Sequence, residues 1–261
     1  MPAQIAVALT GTATYPLVGL VVGLAIGLTG MGGGVLLTPI MVLYLGVPPS
    51  VAVSNDLLIS LAVKPVGAVA HGRAGTVRRD LVLRLAIGSI PAAFVGAVLV
   101  NTWFTQSPGA LKRLIGGALL LAATMMVVQL VRRSKQSDVV PPIRPFPTVL
   151  IGAVGGLLVG MTSVGSGSLM LVLLSLLYPT LASRTLVGTD IAQAIPLVAA
   201  ATLGHLLFGD VRLSIVLPVL LGALPGVWLG SRWSVRMPDA ALRPILLVLV
   251  GASGLKLVGV I

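Results

Sequence analysis

Apolar residues along this chain gather into long runs separated by short basic or Gly/Pro-rich breaks. Eight such regions stand out: Leu17 to Val47, Val51 to Val69, Leu81 to Trp103, Leu111 to Val131, Val149 to Leu177, Leu186 to Phe208, Leu213 to Trp233 and Leu242 to Ile261. Most are close to the roughly 20 residues that a helix needs to cross about 30 Å of hydrocarbon. The first and fifth are longer, and glycines cut each of them. The most polar stretch, RRSKQSDVVPPIRPFP, lies between Val131 and Thr148, and its charges and prolines exclude a spanning helix.

Composition turns this pattern into a membrane protein. Of 261 residues, 57% are hydrophobic and 9% charged, with a mean hydropathy of +1.11. The 17 basic and 6 acidic side chains are too few to clothe a soluble domain of this size. A net charge of +11 does not point to nucleic acid, because the basic residues sit in short clusters between apolar runs with few aromatics. Clusters flanking spans are instead what retention of Lys and Arg on the cytoplasmic side produces. Cysteine is absent, which removes disulfides, thiolate metal sites and cysteine nucleophiles from consideration. The first fifteen residues carry no Lys or Arg, so the first apolar run is expected to stay in the chain.

Residues compared 133 or 134 positions apart reveal an internal repeat. Gly27-Leu28-Thr29 matches Gly160-Met161-Thr162, and Gly32 and Gly34 match Gly165 and Gly167. Beyond one inserted residue, Val53, Asp56, His71, Gly75 and Arg78 match Val187, Asp190, His205, Gly209 and Arg212, and Pro91 and Gly96 match Pro225 and Gly230. Asp and His are rare here, so their shared offset indicates duplication rather than chance. The reading is an all-α polytopic membrane protein of two homologous halves, residues 1–131 and 148–261, joined by a polar cytoplasmic linker at 132–147.

The basic residues bear on topology. If all eight regions cross once, ten fall on the linker side and six on the other; if the first and fifth enter and return as hairpins, the split becomes twelve against four. The second arrangement follows the positive-inside rule more closely and makes each half cross three times, which inverts the second half. The expectation is therefore inverted repeats, each with a glycine-broken hairpin or discontinuous helix plus three spanning helices.

The candidate chemistry lies at the glycine breaks. Gly30, Gly32, Gly33 and Gly34 follow Thr29, and Thr162, Ser163, Gly165, Ser166, Gly167 and Ser168 form the counterpart. Such runs cannot be stable helix interior, and irregular backbone at membrane depth survives only when buried in protein or lining a wet cavity. Free N–H groups at the start of the following half-helices could cradle an oxyanion; close helix packing is the alternative use of the same glycines. No Lys-Ser or Lys-Thr follows them, so a nucleotide-binding P-loop is excluded.

Lys64 lies more than a turn inside a span, where a basic residue costs about 3 kcal/mol, and is expected to attract the anion or pair with a carboxylate unless it snorkels to the interface. Asn55 and Gln193 add neutral hydrogen-bonding groups for substrate. Asp56 and Asp190 open matching spans and suit helix capping, a proton step or a sodium ion; His71 and His205 titrate near neutral pH and join them as coupling or gating candidates. Two histidines without a second ligand pattern do not make a metal site, and no cofactor is expected.

With GlyLeuThrGlyMetGlyGlyGly followed by LeuThrProIle, the AsnAsp-led span, the HisGlyArgAlaGlyThrValArgArgAsp loop and the second-half recurrence, the chain resembles the sulfite exporter TauE/SafE family, also called the toluene sulfonate uptake permease family, from about Leu17 to Leu257. The resemblance implies transport, often export, of small sulfur-containing anions such as sulfite, sulfoacetate, other organosulfonates or thiosulfate across a bacterial cell membrane. It places the family's breaks on Gly30, Gly32, Gly33, Gly34, Gly165 and Gly167, with Ser166 and Ser168 departing from a full glycine triplet. Expected partners are that anion, the lipid bilayer and a coupling proton or sodium ion; a homodimer is compatible with the sequence but not specified by it. Two rival functions are an anion channel and an intramembrane serine protease built on Gly251, Ser253, Gly254 and His205. The protease lacks an evident oriented base or oxyanion hole.

Overall fold

In the computed structural model, described over residues 2–29, 33–72, 77–104, 106–131, 141–167, 169–234 and 239–260, the apolar runs are helices and the described residues contain no strand. In chain order they are α1 (Pro2–Thr29), a 3-10 turn (Gly33–Val35), α2 (Leu37–Leu43), α3 (Pro49–Gly72), α4 (Arg79–Leu99) continued by a π-turn (Val100–Phe104), and α5 (Pro108–Val131). After the linker come α6 (Pro145–Thr162), α7 (Leu169–Leu177), α8 (Ser183–Phe208), α9 (Leu213–Ser234) and α10 (Asp239–Val258). Five segments are long and apolar enough to cross a membrane: Arg79–Phe104, Pro108–Val128, Pro145–Thr162, Thr185–Phe208 and Leu213–Trp233. Large apolar side chains on their outer faces, such as Leu83, Ile87 and Leu221, remain exposed for lipid to cover.

Both long apolar regions break where glycines interrupt them. Region one divides into α1, the 3-10 turn and α2, and region five into α6 and α7. Gly30 and Gly32 lie outside the described residues, as does Ser168. The second break is fully irregular from Ser163 to Gly167, with left-handed backbone at Ser163, Gly165 and Gly167.

Helices on opposite sides of the linker make the largest contacts. α1 packs against α9 and α4 against α6, followed by α4 on α8, α5 on α10, α3 on α8 and α3 on α9. The cause is visible in the sequence as glycine every fourth residue: Gly19, Gly23 and Gly27 on α1, Gly152, Gly156 and Gly160 on α6, and Gly222, Gly226 and Gly230 on α9. Lipid tails are as apolar as leucine, so helices in a bilayer associate through close packing, which small residues permit. A Cβ on Gly23 would lie 2.5 Å from the Ala223 carbonyl oxygen, and one on Gly156 2.4 Å from that of Ser89. These backbones touch.

Gly156→Ala should therefore destabilise the bundle by about 1–3 kcal/mol through overpacking, read as a lower unfolding temperature in detergent. Gly117→Ala, where an added Cβ meets nothing within 4 Å, is the control and should unfold like the parent chain.

Candidate functional site

The two breaks meet. A Cβ on Gly34 would lie 1.8 Å from the carbonyl oxygen of Ser163, so only glycine lets the first break rest on the second. Ser163 ends α6 in the left-handed conformation (φ 59°), which disfavours any side chain, and its N–H bonds the Val159 carbonyl at 2.7 Å. What holds a serine there is its neighbourhood: its backbone abuts Gly34 and its hydroxyl faces the carboxylate of Asp56.

Asp56 is fully buried on α3 and accepts hydrogen bonds from Thr38 of α2 and from Ser60 one turn on. Gly33 lies against the same carboxylate, with an added Cβ 3.3 Å from Asp56 Oδ1. The negative charge lying against the breaks thus belongs to the protein itself. Asp56 and Asp190 are each the eighth residue of their helix, α3 and α8. That is two turns inside, so helix capping, one of the expected roles, does not apply to either.

Lys64 lies two turns beyond Asp56 on α3, half-buried, within electrostatic range of both Asp56 and Asp190 but with neither carboxylate inside 4 Å. Pro65 follows it inside the helix and cannot donate to the Leu61 carbonyl. Asp190 is buried at 3% exposure, and its Oδ1 has no hydrogen-bond partner.

The neighbours of the two aspartates tie the halves together. Asn55 Oδ1 accepts from the backbone N–H of Arg212 at 2.8 Å, and Thr189 Oγ1 accepts from that of Arg78 at 3.1 Å. Asn55 and Thr189 precede the matched aspartates, and Arg78 and Arg212 are themselves matched. Because a backbone N–H can only donate, the Asn55 amide is oriented without ambiguity and its Nδ2 is a buried donor with no protein partner. Gln193 bonds Ser89 Oγ at 2.6 Å and leaves its other amide end, Oε1, unpartnered.

The remaining candidates divide. Thr29 and Thr162 each donate to the carbonyl four residues back, Ala25 and Leu158, at 2.7 Å; Thr162 also accepts from the Val164 N–H. They finish the helices at the breaks. Ser166 and Gly167 lie in the second turn, Ser166 buried. His71 is in α3, but its side chain lies outside the described residues.

His205, a gating candidate by sequence, is fully buried and committed at both ring nitrogens. Nε2 is 2.9 Å from the Gly160 carbonyl, while Nδ1 faces Ser54 Oγ at 2.8 Å and Asn101 Nδ2 at 2.9 Å. A carbonyl only accepts, so the proton is on Nε2; Asn101 Nδ2 only donates, so Nδ1 carries none. The ring is neutral and joins α8 to α3, to α6 and to the π-turn. Sequence reasoning missed Ser54, Ser60, Ser89, Asn101 and Thr189, since single hydroxyls and amides in apolar spans carry no signal without knowing what lies opposite. Among the described residues, no group of three His, Cys, Asp or Glu side chains is placed to hold a metal ion.

Residues 15–257 match the sulfite exporter TauE/SafE family, nearly the whole chain. This protein belongs to that family. Its similarity to a probable membrane transporter protein of Bacillus subtilis (strain 168), YjnA, is 38% identity over 250 residues, covering 93% of this chain and 98% of the relative. A second from the same organism, YdhB, is 25% identical over 243 residues, covering 92% and 98%. The probable membrane transporter protein MJ0441 of Methanocaldococcus jannaschii is 26% identical over 251 residues, with 92% of each chain covered. No solved structure gives a significant match. As a TauE/SafE member with five apolar helices of spanning length, the chain is a multi-pass membrane transporter.

His205→Ala would leave the buried Gly160 carbonyl without this donor and take one of their partners from Asn101 and Ser54, which keep the Ala97 and Ser50 carbonyls, a loss of about 1–3 kcal/mol. A clearly lowered unfolding temperature in detergent is the expected result; an unchanged one would contradict the structural role.

Proposed function

We propose that this transporter moves small sulfur-containing oxyanions, such as sulfite, sulfoacetate or another organosulfonate, by alternating access between two inverted halves. The observation that carries the reading is chemical. Inside an apolar helical bundle, α3 holds a lysine ammonium, Lys64, that lies within electrostatic range of two carboxylates but has neither within 4 Å. A positive charge inside a span is expensive enough to need a reason, and an ammonium not closed into an ion pair is the complement of an oxyanion.

The breaks contribute differently from a bare cradle of amides. Ser163 fills the place beside Gly34 and Asp56 lies against both, so the anion belongs on the Lys64 side of the contact, next to the breaks near the midplane. The 3-10 turn at Gly33–Val35 and the irregular backbone from Ser163 to Gly167 then let the halves rock without breaking a long rod. Support for two repeat-related halves comes from the paired interfaces: α1 on α9 corresponds to α6 on α4, and the Arg78–Thr189 bond to the Arg212–Asn55 bond. The export direction follows the family description and rests on that alone.

The protease reading finds little support. Ser253 lies within continuous α10, and both nitrogens of His205 are engaged elsewhere.

Reconstituted into liposomes, the protein should give saturable counterflow of sulfite, thiosulfate or sulfoacetate in preference to acetate. Lys64→Met removes a charged contact worth about 1.5–3 kcal/mol, so flux should fall about tenfold or more. Unchanged affinity and flux in that variant would remove Lys64 from the site, and a non-saturating flux would favour a pore.

A further inference from the structure

Asp56 and Asp190 occupy corresponding places on α3 and α8, yet their surroundings differ. Asp56 is solvated by hydroxyls from Thr38, Ser60 and Ser163. Carried across the repeat offset, those three positions become Val172, Ala194 and Gly30, none of which has a hydroxyl. Lys64 likewise corresponds to Val198. Asp190 is therefore a buried carboxylate with an unpartnered oxygen, and its electrostatic partner is Lys64, reaching in from the other half.

The other elements packed on α8 add no competing charge near it. α6, α7 and the π-turn contain no titratable side chain. On the N-terminal side of α4, the Arg78 guanidinium bonds Asp80 and the Pro141 carbonyl, while Arg79 and Arg84 follow in the helix. On α8 itself His205 is held at both nitrogens, and on α3 the facing groups among the described side chains are Asp56 and Lys64; the side chains of Arg184 on α8 and His71 on α3 lie outside the described residues. A sodium ion is disfavoured, because besides Asp190 the unpartnered buried oxygens on α8 are Gln193 Oε1 and Thr202 Oγ1, the latter about three turns on, and the ammonium of Lys64 opposes a cation.

We propose that Asp190 is the proton-binding site that couples anion movement to proton movement. This rests on the reading that Lys64 receives the anion. Without substrate, Lys64 balances Asp190; when an anion takes the ammonium, Asp56 keeps its hydroxyls, but Asp190 loses the group that offset its charge and takes up a proton. The proton comes from the aqueous phase that delivered the anion, binds a carboxylate oxygen of Asp190, and returns to water when the anion leaves and Lys64 swings back. Anion and proton thus cross together, and Asp190 is not left as a buried carboxylate without its counter-charge.

The test uses proteoliposomes containing a pH-sensitive dye, with thiosulfate and sulfoacetate as probes, because neither titrates near neutral pH. In the parent protein, probe entry should acidify the lumen and a pH gradient should drive accumulation. Asp190→Asn should retain counterflow at a reduced rate while losing both gradient-driven accumulation and the dye response. Ala194→Ser, which sets a hydroxyl one turn from Asp190 as Ser60 is from Asp56, should move half-maximal flux to lower pH by favouring the charged carboxylate. Accumulation that survives in Asp190→Asn, an unmoved pH profile in Ala194→Ser, or parental flux without proton movement would each overturn the proposal while leaving the anion reading intact. Absence of flux for both probes in the parent protein would overturn that reading and this proposal with it.

Discussion

Backbone that leaves the helix inside a lipid slab has no water to turn to, so its polar groups must be met by the rest of the protein. In this chain each break meets part of that requirement within itself, through Leu36 N–H to Gly33 O, Ser163 N–H to Val159 O and Val164 N–H to Thr162 Oγ1, and the two breaks rest on one another at Gly34. The contact of Gly34 with the Ser163 carbonyl brings residues far apart in sequence into van der Waals range, and the glycine-lined interfaces of α1 with α9 and α4 with α6 hold the surrounding helices at that separation. The small residues that make the bundle close thus also make the irregular segments tolerable.

Once the breaks are together, the electrostatics follow. Asp56 sits against them and is satisfied by hydroxyls, while Lys64, on the same helix, extends to a second carboxylate across the α3–α8 contact. Residues matched along the sequence differ in this detail. One carboxylate, Asp56, accepts from neutral donors, and the other, Asp190, has an unpartnered oxygen and Lys64 within electrostatic range. An asymmetry of this kind gives a duplicated scaffold a direction of chemical response that perfect symmetry would deny it.

His205 shows how rarity can mislead. As one of two histidines, at a repeat-matched position, it reads by sequence as a titrating gate. The structure instead spends both nitrogens on Gly160, Ser54 and Asn101, making the ring a neutral fastener among four elements. Its matched partner position does not predict the same use, because a hydrogen-bond acceptor is defined by what stands opposite, and the elements opposite are not repeated residue for residue.

Several levels were legible without coordinates. The apolar runs specified the helices because hydrocarbon demands about 20 consecutive apolar residues for a span; Gly30 to Gly34 and Gly165 to Gly167 specified the interruptions because glycine runs cannot hold a helix; and Asp56, Asp190 and Lys64 stood out because charge inside a span is costly enough to need a reason. The spacing of Gly19, Gly23 and Gly27 was also present as a packing signal, though it names no partner helix. What only the tertiary structure decided is which groups meet: Ser163 with Gly34 and Asp56, Asn55 with Arg212, Thr189 with Arg78, and Lys64 between two carboxylates. Periodicity and solvation cost are properties of a local stretch and can be read along the chain, whereas a hydrogen bond or a charge balance is a property of two surfaces and exists only once the fold has brought them together.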